Sequence, residues 1–213
     1  MRDQLEFFRQ FRTRFKTTGS ILPSSRFLAR AMTGPLKRHN GPARILEVGP
    51  GTGAVTRRIV RLLKPEDRFD LVEINESFAE LLNRRFETDP AYQRVAAQSK
   101  LHVCPLEEYE VDEQYDFIVS GLPLNNFSTD LVRTIFESYF RLLKPGGVLS
   151  YFEYMFIRSI RGIVSRNEER KRMRGLNQII APILSEHRIR KSWVFVNMPP
   201  AWVQHLQVDS PHQ

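Results

Sequence analysis

Three glycines at alternate positions, Gly49, Gly51 and Gly53, follow a short apolar run that carries one acid, Ile45-Leu46-Glu47-Val48. Without Cβ atoms the backbone can turn sharply there and a ligand can come close. The segment behind the turn, with Val55, Ile59, Val60 and Leu63 at helical spacing, would begin as a helix with free N–H groups aimed into the same gap. A dinucleotide normally requires G-x-G-x-x-G, with its pyrophosphate on the helix N-terminus. The spacing here is G-x-G-x-G, and the carboxylate of Glu47 suits a cationic amine better than a phosphate. A second acid, Glu73, ends the next apolar run, Phe69-Asp70-Leu71-Val72. It lies roughly 20 residues beyond the turn, where an acid accepts the hydroxyls of a ribose. Loop and acid together mark a cofactor site.

Strand, glycine turn and helix form the first unit of an open α/β sheet, and the rest of the chain supplies the other units. Residues 77–86 read as a helix and 101–104 as a third strand, followed by the loop Pro105-Leu106-Glu107-Glu108. The fourth strand begins at Tyr115 and leaves through Ser120-Gly121-Leu122-Pro123-Leu124-Asn125. Ligands bind outside the carboxyl ends of parallel strands, so substrate and cofactor should meet at that exit. A helix over 131–143 is broken by Lys144-Pro145-Gly146-Gly147, which opens a fifth strand over 148–155. A basic helical insertion over 158–174 and an apolar stretch around Pro182 come next. Strands over 191–197 and 201–208, with no helix between them, should pair as an antiparallel hairpin. Ahead of the sheet, Ser24 or Ser25 can cap a helix over Arg26–Met32, which Gly34-Pro35 ends. His39 reads as a surface histidine.

The chain has 213 residues, enough for one well-packed α/β domain and few for two. Its single cysteine, Cys104, excludes an internal disulfide and fits a reducing compartment, the cytoplasm. No apolar run approaches the roughly 20 residues of a membrane span, and the charged N-terminus does not read as a signal peptide. No metal-ligand pattern stands out. The net charge of +8 is unevenly placed. Residues 1–44 carry ten Lys/Arg against two Asp/Glu, 45–157 carry twelve against eighteen, and 158–191 carry ten against three. An acidic cofactor domain between two basic segments implies a polyanionic partner, either nucleic acid or an anionic membrane surface.

Residues 3–16 read as a helix. Phe7, Phe8, Phe11 and Phe15 fall within a sector roughly 100° wide, with Arg9, Arg12 and Lys16 on one flank. A phenylalanine stripe beside cations suits a helix lying in a membrane interface. The same stripe would serve an amphipathic helix packed on the domain. Residues 1–42 are accordingly read as a basic helix and lid segment, and 43–213 as the cofactor-binding domain.

The run from Glu47 to Gly53 resembles the S-adenosylmethionine loop of class I methyltransferases, whose form is (D/E)-x-G-x-G-x-G, and the Leu-Lys-Pro-Gly-Gly turn fits their pattern. The resemblance implies a Rossmann-like fold, a mostly parallel seven-stranded sheet with helices on both faces. It implies S-adenosylmethionine as cofactor, held by Glu47, Gly49, Pro50, Gly51, Thr52, Gly53, Glu73 and Ile74. Leu106 or Glu107 would border the adenine, and Ser120, Gly121 and Leu122 would lie at the methyl group. The glycine loop is also like that of ribosomal RNA adenine dimethyltransferases. Those enzymes carry N-(L/I)-P-Y or D-P-P-Y at the fourth-strand exit, where the aromatic stacks a flipped base. Here Ser120-Gly121-Leu122-Pro123-Leu124 lacks both amide and aromatic. The basic aromatic first helix, Thr18-Gly19-Ser20-Ile21-Leu22-Pro23-Ser24-Ser25 and Gly121-Leu122-Pro123 resemble instead the bacterial phospholipid N-methyltransferases.

That resemblance implies a phosphatidylethanolamine acceptor converted to phosphatidylcholine. It also implies peripheral association with the inner face of the cytoplasmic membrane, through Phe7, Phe8, Phe11, Arg12, Phe15 and Lys16. A monomer is expected, with nucleic acid as the alternative partner. The acceptor begins as an ammonium with a pKa near that of lysine, so freeing its lone pair at neutral pH costs about 4 kcal/mol. Tyr151, Glu153 and Tyr154, at the end of the fifth strand, are the candidates to hold the headgroup and take the proton. Period-two alternation puts Tyr151 and Glu153 on one face and Tyr154 on the other.

Overall fold

A computed structural model describes residues 26–154, 166–196 and 200–209, with the backbone alone over 166–173. The elements are α1 (Arg26–Met32), α2 (Gly34–Arg38), β1 (Arg44–Val48), α3 (Thr56–Leu62), β2 (Arg68–Val72), α4 (Glu76–Thr88), α5 (Pro90–Gln93), β3 (Ser99–His102), β4 (Tyr115–Ser120), α6 (Thr129–Leu142), β5 (Leu143–Tyr154), α7 (Arg166–His187), β6 (Arg188–Val194) and β7 (Ala201–Gln207). The seven strands form one sheet in the order β3-β2-β1-β4-β5-β7-β6. β1 to β5 are mutually parallel, and β7 runs antiparallel to both β5 and β6. Strand order reverses beside β1, which makes the gap between β1 and β4 the place for a ligand.

Burial on both faces explains why the strands read as continuous apolar runs. Ile45, Phe69, Phe117, Phe152 and Val203 pack under α1, α3, α4 and α5. Leu46, Ile118, Leu149, Tyr151 and Leu206 pack under α6 and α7. The helices start where the sequence places stop-and-start residues. Asn75 accepts from the Ser77 amide at 3.0 Å and caps α4, and Ser128 accepts from the Leu131 amide at 3.3 Å and caps α6.

Four expectations change. Gly34-Pro35 does not only end a helix; Pro35 starts α2, because the first helical turn needs no N–H from it. Lys144-Pro145-Gly146-Gly147 lies inside β5, since Gly146 and Gly147 pair with the Val208 backbone at 2.8 and 3.1 Å. From Arg166 onward the insertion and the apolar stretch around Pro182 are one helix, α7, and residues 158–165 lie outside the described residues. Leu176, Ile180 and Ile183 at helical spacing press it against the core, and that packing outweighs the proline. His39 is half-buried, edge-on to Phe117 at 5.2 Å. The expected hairpin is present, with its first strand beginning at Arg188. The phenylalanine helix and the capping serines lie outside the described residues.

His205 supplies a pH test of the hairpin's docking. It is buried in β7 with Nδ1 2.8 Å from the Ser150 hydroxyl, and burial lowers its pKa from 6.5 to about 4. The folded state therefore keeps the ring neutral, while the unfolded chain takes up a proton below about pH 6.5. Stability is fully present above that pH and is lost as the pH falls toward 4. Denaturant melts should show a loss of about 2–3 kcal/mol between pH 7 and pH 4. In His205→Gln that part of the acid slope should vanish.

Candidate active site

The glycine turn leaves β1 at the reversal point of the sheet. Gly49, Gly51 and Gly53 have φ of 65°, 54° and 73°, a region that side chains with a Cβ rarely adopt. Side chains that would have to shift also crowd two of them. A Cβ on Gly49 would stand 2.5 Å from Leu122 Cδ2, and one on Gly53 would stand 2.7 Å from Arg85 Nη1. A Cβ on Gly51 would meet nothing within 4 Å, so the backbone there faces open space.

Glu73 braces this turn. Its Oε2 accepts from the Gly51 amide at 2.9 Å, and its Oε1 accepts from the Asn75 amide at 2.9 Å. Burial raises its pKa, with the backbone donors of Asn75, Gly51 and Ile74 opposing that rise. Each carboxylate oxygen keeps a further lone pair for a hydroxyl donor.

Glu47 is 1% exposed, and burial pushes its pKa up to about 8, with the nearby Glu73 charge adding to the rise. The Thr56 hydroxyl is close enough to draw the pKa partly down. At strict hydrogen-bonding geometry, however, both carboxyl oxygens and that hydroxyl are unpartnered. A buried carboxyl without a partner is costly until a cation or donor reaches it. The residues present thus fit a ligand with a positively charged amine over an open glycine backbone.

The cleft beside the turn is lined by Gly49, Glu73, Ile74, Leu106, Glu107 and Leu122. These are residues assigned to the cofactor from sequence, brought together from four separate connections. Leu131 and Ile135 of α6 complete the wall. Nothing in the sequence singled them out, because their spacing is that of ordinary helix packing. Four assigned residues do not present side chains to the cleft. Glu47 is enclosed within β1 and is not part of the lining. Pro50 is buried, and Thr52 is exposed with its carbonyl accepting from Arg85 at 2.6 Å. Ser120 is fully buried, its Oγ 2.5 Å from the Tyr139 hydroxyl, where it also accepts from the Leu122 amide. Gly121 acts through its backbone. Its amide donates to Val48 at 2.8 Å, and a Cβ there would stand 2.5 Å from the Gly49 carbonyl oxygen.

On the β5 side, Ser120 is in register with Tyr151, so Glu153 and Tyr154 project past the β4 exit. Tyr151 is fully buried against Phe136, and its hydroxyl donates to Glu153 Oε1 at 2.9 Å. Burial raises the pKa of Glu153, opposed by the Tyr151 hydrogen bond and by Lys191 and Arg188. Tyr154 turns to the other face against Phe152, as the alternation requires. Tyr151 and Glu153 are therefore joined on one face of β5, and Tyr154 stands apart on the other.

A methyltransferase-domain family model matches residues 45–147. The chain is 30% identical over 155 residues to an ornithine lipid N-methyltransferase of Singulisphaera acidiphila, covering 73% of this chain and 80% of that one. Compactin diketide synthase of Penicillium citrinum is 34% identical over 121 residues, but this chain spans only 4% of its length. Among solved structures, the glycopeptide N-methyltransferase MtfA aligns with a TM-score of 0.63 at 15% identity, over 85% of this chain and 88% of that one. The N-methyltransferase NodS of Bradyrhizobium japonicum aligns with a TM-score of 0.57 at 17% identity, over 88% and 89%. Glycine turn, bracing acid and sheet order agree with those matches, and the chain belongs to the class I S-adenosylmethionine-dependent methyltransferases, where it resembles the bacterial lipid N-methyltransferases.

Proposed function

We propose that the chain methylates the amine of a membrane phospholipid, phosphatidylethanolamine and its methylated intermediates, to give phosphatidylcholine. The observation that carries the lipid acceptor is the 155-residue similarity to an enzyme named for N-methylating a lipid. That relative's acceptor makes ornithine lipid the second reading. The β4 exit agrees with either, since Leu122 and the buried Leu124 stand where a base would need an aromatic face.

In this reading the donor supplies a methyl group already activated on its sulfonium. Glu47 would pair with its cationic amine, the Gly49–Gly53 backbone would lie against it, Glu73 would accept from its ribose, and Ile74, Leu106 and Glu107 would border its adenine. Leu122, Leu131 and Ile135 keep water from the cleft. Glu153 takes the proton of the acceptor ammonium, and Tyr151 fixes the Glu153 carboxylate through Oε1. The raised pKa of Glu153 narrows the gap to the amine and makes it a better base than an exposed carboxylate. Phe7, Phe8, Phe11, Arg12, Phe15 and Lys16, outside the described residues, supply membrane affinity at the cytoplasmic face. Among the described residues no helix is long and apolar enough to cross a membrane.

The test offers methyl-labelled donor to anionic vesicles containing phosphatidylethanolamine, to vesicles containing ornithine lipid, and to ribosomal RNA. Label should enter phosphatidylethanolamine. Glu153→Gln should lower kcat about 10²-fold or more, with Tyr154→Phe near wild type. Label in ornithine lipid alone would move the acceptor to the second reading, and label in RNA alone would overturn the lipid reading.

A further inference from the structure

Among the described residues, large apolar side chains are exposed mainly at one place. Ile189 is 54% exposed, Trp193 55%, Phe195 66% and Val196 70%, all on β6 or directly behind it. Elsewhere among the described residues only Phe27 and Val103 are comparable, and they stand singly. Trp193 and Phe195 are stacked at 5.5 Å with an 18° interplanar angle. Cations frame them. Arg188, Arg190 and Lys191 are exposed on the same strand, and the Lys191 ammonium lies 4.0 Å over Trp202 and 5.0 Å over Trp193. Among the described residues β6 is the edge strand of the sheet, so its outer side carries backbone groups that no described strand pairs.

The direction of β6 places this patch at the site. β6 and β5 are both antiparallel to β7, so β6 ends at the edge of the sheet where β4 and β5 end. Glu153 is in register with Trp202, and Trp202 with Trp193. Tyr154 is in register with Ala201, and Ala201 with Val194. The stacked rings thus stand two strands away from the acid proposed as base, on the rim of the same mouth.

We infer that the β6–β7 hairpin is a docking surface for an anionic lipid bilayer, holding that mouth against the headgroups. The inference rests on the lipid reading above and adds to it a membrane contact remote in sequence from residues 1–16. The chemistry selects this occupant. Aromatic rings beside cations match the water–hydrocarbon boundary, where rings lie at headgroup depth and Lys and Arg meet lipid phosphate. A second copy pairing along the same edge would bring two rows of Arg188, Arg190 and Lys191 together, and like charges across strands repel. With Lys191 held over the rings and a chain net charge of +8, the face attracts a negative surface.

The chain has two tryptophans, Trp193 and Trp202, both in this hairpin. Full-length Trp202→Phe therefore reports on Trp193 alone. On adding vesicles of phosphatidylglycerol and phosphatidylethanolamine, Trp193 emission should shift to the blue and iodide quenching should weaken. Lipids brominated high on their acyl chains should quench it, and the effect should fade as salt rises. The exposed pair Trp193→Ala/Phe195→Ala should keep the wild-type melting temperature and donor affinity while vesicle partitioning falls about 10-fold. If the protein sediments with vesicles while Trp193 stays open to iodide and unshifted, the hairpin inference is wrong and the lipid reading stands. If it binds no vesicle at all, both fall. A lipid-free dimer in sedimentation that the double variant abolishes would assign the face to a second copy and overturn the inference.

Discussion

Gly121→Ala is expected to disable the enzyme at the level of donor binding, although Gly121 contributes no side chain. The β4 exit and the glycine turn touch through backbone alone, with the Gly121 amide on Val48 and its Cα beneath the Gly49 carbonyl. A methyl group would stand 2.5 Å from that oxygen, and neither partner is a flexible side chain that could swing aside. Overpacking of this kind costs about 1–3 kcal/mol, which in a chain of this size lowers the melting temperature by about 3–10 °C. Because the strain falls on the turn itself, calorimetry should show donor affinity lost by far more than the stability change alone accounts for. A variant that melts lower but binds the donor normally would show that the contact supports the fold and not the site.

Glu73→Ala should produce the second large effect. The carboxylate holds two backbone donors, Gly51 and Asn75, from either side of the cleft, and in the proposed reading it also accepts from the ribose. Losing hydrogen bonds to a charged acceptor costs about 1.5–3 kcal/mol, a donor affinity weakened about 10- to 150-fold. Glu73→Gln should not rescue it, because its amide nitrogen would turn a donor toward one of the two backbone N–H groups. Affinity unchanged in both variants would remove Glu73 from the cofactor site.

Much of this protein was legible from local pattern. Buried parallel strands must be apolar on both faces, so β1, β2 and β4 stand out as runs. A turn with three positive-φ positions must be glycine, so Gly49, Gly51 and Gly53 announce the site. Glu73 is visible because an acid ending a strand has a definable place relative to that turn. Period two correctly separated Tyr154 from Tyr151 and Glu153.

Other features depend on contacts between residues far apart in the chain, and no local pattern carries them. Pro182 signals a break, yet α7 continues because its apolar stripe is held by the core that α6 shares with it. Ser120 looks like a site residue by position, yet a buried tyrosine 19 residues away claims its hydroxyl. Leu131 and Ile135 line the cleft only because α6 packs beside Leu122. The meaning of the hairpin depends on topology in the same way. Trp193, Phe195 and Lys191 are ordinary strand residues in sequence, and they reach the rim of the site only because β7 inserts antiparallel between β5 and β6. The positive-φ glycine turn and the apolar pattern of the strands are written in neighbouring residues, and the sequence determined them. Which side chains converge is set by strand order and packing, and the tertiary structure alone decided that.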